Sequence, residues 1–272
     1  HIGNALCGKL QETDTTKEKR RGNMMSSLRA SNFRRIHVGL LLDLVLLFLM
    51  PAVIALFLVM VIRQLGSAGI DPETVSVVDL LTDPSLAVRS MYAVLTLQYC
   101  LSALCALLTV SGLGELESGS RNLLWAKRWF VLLMVADAVA MFAHMTDLMM
   151  PGDSIVTLTS ILDFAALLLQ LGFHALAVRA LLCGYGEVLE SIGAPAQSHR
   201  ALALSRRFFS AVLLLVLLFA AAVLLTDLRL VEQTRTVVLA AAAASLIFYV
   251  VCRVQVVCTA RSVTGLIAAL SE

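Results

Sequence analysis

Six long apolar segments, separated by short polar connections, constrain this chain more than any other feature. They cover about residues 36–62, 87–110, 128–150, 154–182, 207–227 and 236–258. A helix needs roughly 20 predominantly apolar residues to cross the hydrocarbon core of a bilayer, and every segment reaches that length. The sequence therefore predicts an all-α, polytopic integral membrane protein, a helical bundle of about six transmembrane helices.

The overall composition agrees with that fold class. Apolar residues make up 59% of the 272 residues and charged residues only 15%, whereas soluble domains contain about half and a quarter. A chain of this composition cannot cover its apolar surface in water, so the lipid bilayer is its first expected partner. We expect no nucleic-acid partner.

The segments divide the chain into three parts. Residues 1–35 form a basic polar N-terminal arm, residues 36–260 the transmembrane domain, and residues 261–272 a short C-terminal tail. The arm lacks an apolar core of the length that a signal peptide requires, and we expect its own loops, a lipid surface or a partner to hold it. Because the chain begins with His1, its N-terminus is expected to be processed or incomplete.

The basic residues predict an orientation. Seventeen of the 21 Lys and Arg residues lie in the arm, in every second connection and at the C-terminal end. The other side of the predicted membrane holds only Arg63, Arg89, Arg229 and Arg235. Positive charge stays on the cytoplasmic side, so both termini are expected there, or in the matrix if the membrane is the mitochondrial inner membrane. Plasma membrane and endomembranes remain alternatives.

Spans 2 and 4 share a pattern that suggests duplicated helical hairpins. Residues of span 2 recur 72 positions later in span 4, as Gln98/Gln170, Ala103/Ala175, Leu104/Leu176, Gly112/Gly184, Gly114/Gly186 and Glu115/Glu187. A glycine pair followed by an acid is typical of a helix C-terminus, so both helices are predicted to end there. Span 6 does not carry the pattern.

Polar residues inside the apolar segments are the candidate functional residues. Charges at bilayer depth are costly and usually face the protein interior or a water-filled cavity. They define a candidate intramembrane polar seam, which consists of Asp43, Asp137, His144, Asp147, Asp163, Gln170 and His174. At 100° per residue, Asp137 and His144 lie about 20° apart on span 3.

Spans 3 and 4 are expected to form an antiparallel hairpin about the turn Pro151-Gly152. Asp137 and Gln170 then lie at nearly equal distances from the turn, and so do His144 and Asp163. Each pair is offset by three residues, about 4.5 Å along a helix. The sequence therefore predicts an Asp137–Gln170 contact and a His144–Asp163 contact across the hairpin.

Two features of spans 5 and 6 have ordinary structural interpretations. Arg253 lies near the cytoplasmic end of span 6, where an arginine can extend its charge to the headgroups. The small side chains of Ala220–Ala222 and Ala240–Ala244 allow close backbone approach, so spans 5 and 6 are expected to pack tightly through them.

Catalytic and cofactor motifs are missing from the sequence. It contains no GxSxG, HExxH, GxxxxGK or CxxC motif, so no enzyme class or metal site is predicted. Haem is not expected, because His144 and His174 differ by roughly 21 Å in depth within the hairpin. Haem ligation with another subunit, or between His37 and His174, stays open.

Two function classes follow from these observations. In the first, the chain is a structural or accessory subunit of a larger membrane protein assembly, and the other membrane subunits are its partners. Copies of itself are the alternative partner. In the second, it is a small ion or proton channel or transporter that uses the polar seam of spans 3 and 4. A seam buried in a dry helix interface favours the first class, and a seam lining a water-filled cavity favours the second.

Overall fold

The computed structural model of the protein describes residues 29–67, 86–114, 116, 120–149, 153–227 and 232–271. This part of the chain is all-α. Its helices are α1 (Ala30–Ser67), α2 (Leu86–Leu113), α3 (Arg121–Met149), α4 (Asp153–Ser191), α5 (Pro195–Asp227) and α6 (Glu232–Ser271). Most of the N-terminal arm and the turn at Pro151-Gly152 lie outside the described residues.

Five of these helices are long and apolar enough to cross a membrane. The candidate spans are Ala30–Val53, Thr96–Leu113, Leu168–Ser191, Pro195–Leu218 and Ala240–Leu270. Helix α3, the remaining predicted span, is not among them. The all-helical, multi-pass class predicted from the sequence is thus present, with five candidate membrane-spanning helices among the described residues.

The helices extend beyond the predicted apolar segments at the ends rich in basic residues. Helix α4 continues to Ser191, α5 already begins at Pro195, and α6 runs to Ser271. Hydropathy detects only the apolar part of a helix, while its ends are set by capping. Residues 261–271, which the sequence predicts to be part of a C-terminal tail, therefore belong to α6.

A capped turn joins α4 to α5. Gly193 has a φ of 81°, a left-handed conformation that strongly favours glycine. The Ala194 N–H donates to the Leu189 carbonyl at 2.8 Å and the Gly193 N–H donates to the Glu190 carbonyl at 3.2 Å, as in a Schellman motif. Pro195, whose fixed φ suits the first helical position, then begins α5.

The chain divides into two compact units. The first unit combines the described residues up to Val38, Leu108–Phe130 and the described residues from Phe173 onward. The second unit combines the described parts of Gly39–Leu107 and Val131–Gly172.

Close helix approach in the first unit depends on glycines of the repeated pattern. A Cβ atom added at Gly112 of α2 would lie 2.5 Å from the Asn32 carbonyl oxygen and 2.7 Å from Ile36 Cγ1. Both of those residues belong to α1. The absence of a side chain at Gly112 therefore permits the contact between α1 and α2.

Gly184 has the same role between α4 and α3, where an added Cβ atom would overlap the Leu123 side chain. Gly186 allows Leu202 of α5 to approach, with a separation of 3.2 Å from the position of an added Cβ atom. Because α4 continues through both glycines to Ser191, the predicted helix end at this point is wrong. These glycines serve interhelical packing.

Aromatic rings fill the core of the first unit. The Phe33 ring of α1 lies 5.9 Å from the Tyr185 ring of α4. The Phe208 ring of α5 lies 6.0 Å from the His174 ring and 5.8 Å from the Tyr249 ring. Tyr185, Phe33 and Phe208 are fully buried, so these contacts connect α1, α4, α5 and α6.

Helices α5 and α6 pack against each other, but the alanines contribute less than expected. Ala220, Ala240, Ala243 and Ala244 are exposed. The expectation that the alanine runs are the packing surface is therefore wrong for these residues. Bulkier side chains such as Phe208 and Tyr249 form the contact.

Candidate functional site

A buried carboxylate in α3 is the centre of the candidate site. Asp137 is only 2% exposed, and Gln170 Nε2 of α4 donates a hydrogen bond to Asp137 Oδ1 at 2.8 Å. This is one of the two contacts that the hairpin geometry predicts. Both residues belong to the second unit.

The local sequence explains why Asp137 is buried. Leu133, Ala136, Ala140 and Ala143 recur at helical spacing around it and are all buried, so they form one face of α3. Alanines on this face let neighbouring helices approach closely. Asp137 lies on the same face of α3 and is therefore buried in the interior of the second unit.

Two other helices contribute polar groups to Asp137. The Ser102 hydroxyl of α2 lies close enough to polarise its carboxylate, and the charge of the Asp43 carboxylate of α1 acts on the same group. Asp43 belongs to the predicted seam, whereas Ser102 does not. The sequence offers little reason to select Ser102, because a single serine in an apolar helix usually forms a hydrogen bond with the backbone of its own helix.

One oxygen of this carboxylate remains without a normal hydrogen bond. Asp137 Oδ2 is buried, and no group in the described part of the chain forms a hydrogen bond of ordinary geometry with it. Nearby in the same unit, the Cys100 thiol contacts Met141 Sδ at 3.3 Å. The site therefore combines one satisfied and one unsatisfied carboxylate oxygen in closely packed surroundings.

The remaining seam residues do not form one described cluster with Asp137. The side chains of His144, Asp147 and Asp163 lie outside the described residues, and so does the predicted His144–Asp163 contact. His174 belongs to the first unit, where it contacts Arg253 instead. In the second unit, the described seam residues are thus Asp43, Asp137 and Gln170.

The His174 contact defines a second polar cluster, which consists of His174, Tyr249 and Arg253. Arg253 is 6% exposed, and its Nη1 donates to the His174 ring and, at 3.3 Å, to the Tyr249 hydroxyl. The expected extension of Arg253 toward the headgroups is therefore wrong. Buried hydrogen-bond partners hold the guanidinium inside the unit.

The Arg253 contact determines what His174 can do. A guanidinium has only donors, so the ring nitrogen that faces Arg253 acts as an acceptor. That nitrogen is engaged in a hydrogen bond, which makes it a poor haem ligand. In His37, by contrast, Nδ1 is buried and has no hydrogen-bond partner among the described residues.

A third polar contact fixes the beginning of α3 to α4. The Ser120 hydroxyl accepts the Leu123 N–H at 3.2 Å and donates to Glu187 Oε2 at 2.5 Å. Asn122 Nδ2 donates to Glu187 Oε1 at 2.6 Å. Ser120 is therefore the N-cap of α3, and the Glu187 carboxylate lies where the helix dipole favours negative charge.

The described residues also show whether any side chains could bind a metal ion together. Among the described residues, no group of three or more His, Cys, Asp or Glu side chains is placed to hold a metal ion. Cys100, Cys105, Cys183, Cys252 and Cys258 are free thiols. The polar groups described here are arranged for hydrogen bonding between helices.

Comparisons with known proteins add no assignment. No family model, no curated protein and no solved structure matches the chain. The fold and the polar contacts within each unit are therefore the basis for the functional proposal.

The Asp137–Gln170 hydrogen bond leads to a first testable prediction. Gln170→Leu removes the donor to a buried carboxylate, and we expect the free energy of unfolding in detergent to fall by about 1 kcal/mol, near the upper range for such bonds in membranes. Titration with a denaturing detergent measures it.

Gln98→Leu is the matched control, because Gln98 is the repeat counterpart of Gln170 and makes no hydrogen bond within the described residues. We expect this variant to unfold like the wild type. Equal stability of the two leucine variants would show that the Asp137–Gln170 bond contributes nothing.

Proposed function

We propose that the chain is a multi-pass membrane protein with a structural or accessory role in a larger membrane protein assembly. The observation that carries this proposal is the closed packing around Asp137, which is 2% exposed and bonded to Gln170. Polar pairs of this kind hold helices in register. The described seam thus serves the packing of the second unit.

Apolar surface left uncovered by the chain supports a role with partners. Between 18% and 44% of each candidate membrane window is buried within the chain, so lipid or other helices must cover the rest. On α6, Ala240, Ala243 and Ala244 are exposed. Small residues on an exposed membrane helix face permit close approach of another helix, so this face suits contact with a second subunit.

The proposal includes α3 as a sixth span and both termini on the cytoplasmic or matrix side. Its support is the distribution of basic residues, most of which lie on that side if all six helices cross the membrane. Duplicated hairpins are also part of the proposal. Gly112 accommodates α1 and Gly184 accommodates α3, so equivalent positions have equivalent packing roles.

A second candidate function is proton or cation transport through the seam. The specific observation that favours it is Asp137 Oδ2, which is buried without a hydrogen bond among the described residues. The carboxylate of Asp43 interacts with the same group. Neighbouring carboxylates inside a membrane are common in ion and proton pathways.

Flux through liposomes separates the two functions. Under the structural proposal, we expect liposomes that contain the wild type to pass protons no faster than protein-free liposomes. Asp137→Asn is the matched variant, because its amide oxygen can still accept the Gln170 hydrogen bond. Wild-type flux that falls at least tenfold in a stably folded Asp137→Asn variant would establish the transport function and overturn the structural one.

A further inference from the structure

A groove in the first unit combines basic and apolar walls. Its volume is about 580 Å³, and residues of α1, α2 and α6 line it: Ala30, Ser31, Arg34, Arg35, Val38, Leu108, Thr264 and Ala268. The groove lies at the first turns of α1 and near the end of α6. It is therefore located at one end of these two candidate membrane spans.

The α1 wall presents two arginines in adjacent positions. Ser31, Arg34, Arg35 and Val38 follow one another at i, i+3, i+4 and i+7, which places them on one helix face. All four side chains are exposed. Neither guanidinium forms an ion pair or hydrogen bond with another described residue, so no described carboxylate neutralises their charge.

Arg261 of α6 adds positive charge on the same side of the unit. It is exposed, and its charge acts on His37, which lies one turn beyond Arg34 in α1. The Thr264 hydroxyl already donates to the Ala260 carbonyl at 2.8 Å. The donors that can face a ligand in the groove are therefore the two guanidinium groups and the Ser31 hydroxyl.

The other walls are apolar. Val38, Leu108 and Ala268 offer only hydrocarbon to a ligand, and the groove lies within the candidate spans Ala30–Val53 and Ala240–Leu270. A soluble anion would leave these walls uncovered. A molecule with an anionic head and a hydrocarbon chain matches both kinds of wall.

We propose that this groove binds an anionic phospholipid, with the phosphate on Arg34 and Arg35 and an acyl chain along Val38 and Leu108. Arginine binds phosphate through paired, charge-assisted hydrogen bonds. Basic pockets between membrane helices on the cytoplasmic or matrix side hold anionic headgroups. The site would tie the beginning of α1 and the end of α6 to the membrane surface.

The test measures lipid retention by native mass spectrometry of the full chain, released from nanodiscs of phosphatidylcholine mixed with phosphatidylglycerol. We expect the wild type to retain phosphatidylglycerol preferentially. The double variant Arg34→Gln/Arg35→Gln should retain about thirtyfold less, as expected for two arginines at a membrane surface. Ala268→Phe, which fills the groove and keeps its charge, should also lose the lipid.

Arg206→Gln/Arg207→Gln is the matched control. It removes an equal charge from an adjacent, exposed arginine pair of α5 that does not line the groove, and we expect it to retain phosphatidylglycerol like the wild type. Thermal unfolding in detergent confirms that each variant is folded.

Three outcomes would overturn the proposal. They are unchanged retention in both groove variants, equal loss in the α5 control, and equal retention of phosphatidylcholine and phosphatidylglycerol by the wild type. Inorganic phosphate added to the nanodiscs identifies the source of the anion. Complete displacement of the lipid by phosphate would make the groove a site for soluble anions, and unchanged retention supports the lipid.

Discussion

Replacement of Gly112 by alanine is expected to destabilise the protein by about 3 kcal/mol. The added Cβ atom would lie 2.5 Å from the Asn32 carbonyl oxygen and 3.1 Å from the Ile36 backbone nitrogen. Both atoms belong to the backbone of α1, so a side-chain rotation cannot relieve the overlap. Helices α1 and α2 must move apart, which disrupts the packing of the first unit.

The measurement is the free energy of unfolding in detergent micelles, compared with two control substitutions. An alanine Cβ at Gly114 would have its nearest neighbour at 3.5 Å, and one at Gly172 would meet nothing within 4 Å. Gly114→Ala and Gly172→Ala should therefore be close to the wild type. A Gly112→Ala variant as stable as these controls would contradict the described α1–α2 contact.

Replacement of His174 by leucine should have an effect of similar size. Arg253 is nearly fully buried and donates to the His174 ring. Leucine fills comparable space but offers no acceptor to the charge. We expect a loss of about 3 kcal/mol in the free energy of unfolding, since one partner of a buried charged group is removed.

His174→Gln is the informative control for this substitution. A glutamine side chain keeps an oxygen acceptor that can reach the guanidinium, so most of the stability should be recovered. The double variant His174→Leu/Arg253→Met removes both polar partners and should be more stable than His174→Leu alone. If leucine and glutamine at position 174 destabilise equally, the acceptor for Arg253 is not the cause.

The parts of the fold that sequence predicted are those that follow from local periodicity. Apolar length alone located the helices, because the bilayer thickness sets a minimum span. The Asp137–Gln170 contact followed from similar depth on either side of Pro151-Gly152, since two helices of a tight hairpin share one rise per residue. Neither inference required knowledge of the other helices.

The parts that sequence missed depend on contacts between distant helices. Because Arg253 lies near the end of an apolar segment, its position in the sequence predicts a surface arginine. Its partner His174 is brought to it only by the packing of α4 against α6. The sequence pattern at Gly184 predicts the end of a helix, whereas in the structure the glycine makes room for Leu123 of α3. The groove proposed to bind a phospholipid could not be predicted from the sequence either, because α1, α2 and α6 form it together.

Native mass spectrometry of the protein, gently extracted from its own membrane, tests the central claim most directly. The proposed accessory role predicts that the chain is released together with different membrane subunits at a fixed stoichiometry, and that their removal exposes the α6 face with Ala240, Ala243 and Ala244. Release as a monomer or as a homo-oligomer without other subunits would contradict the claim and favour transport through the Asp137 site.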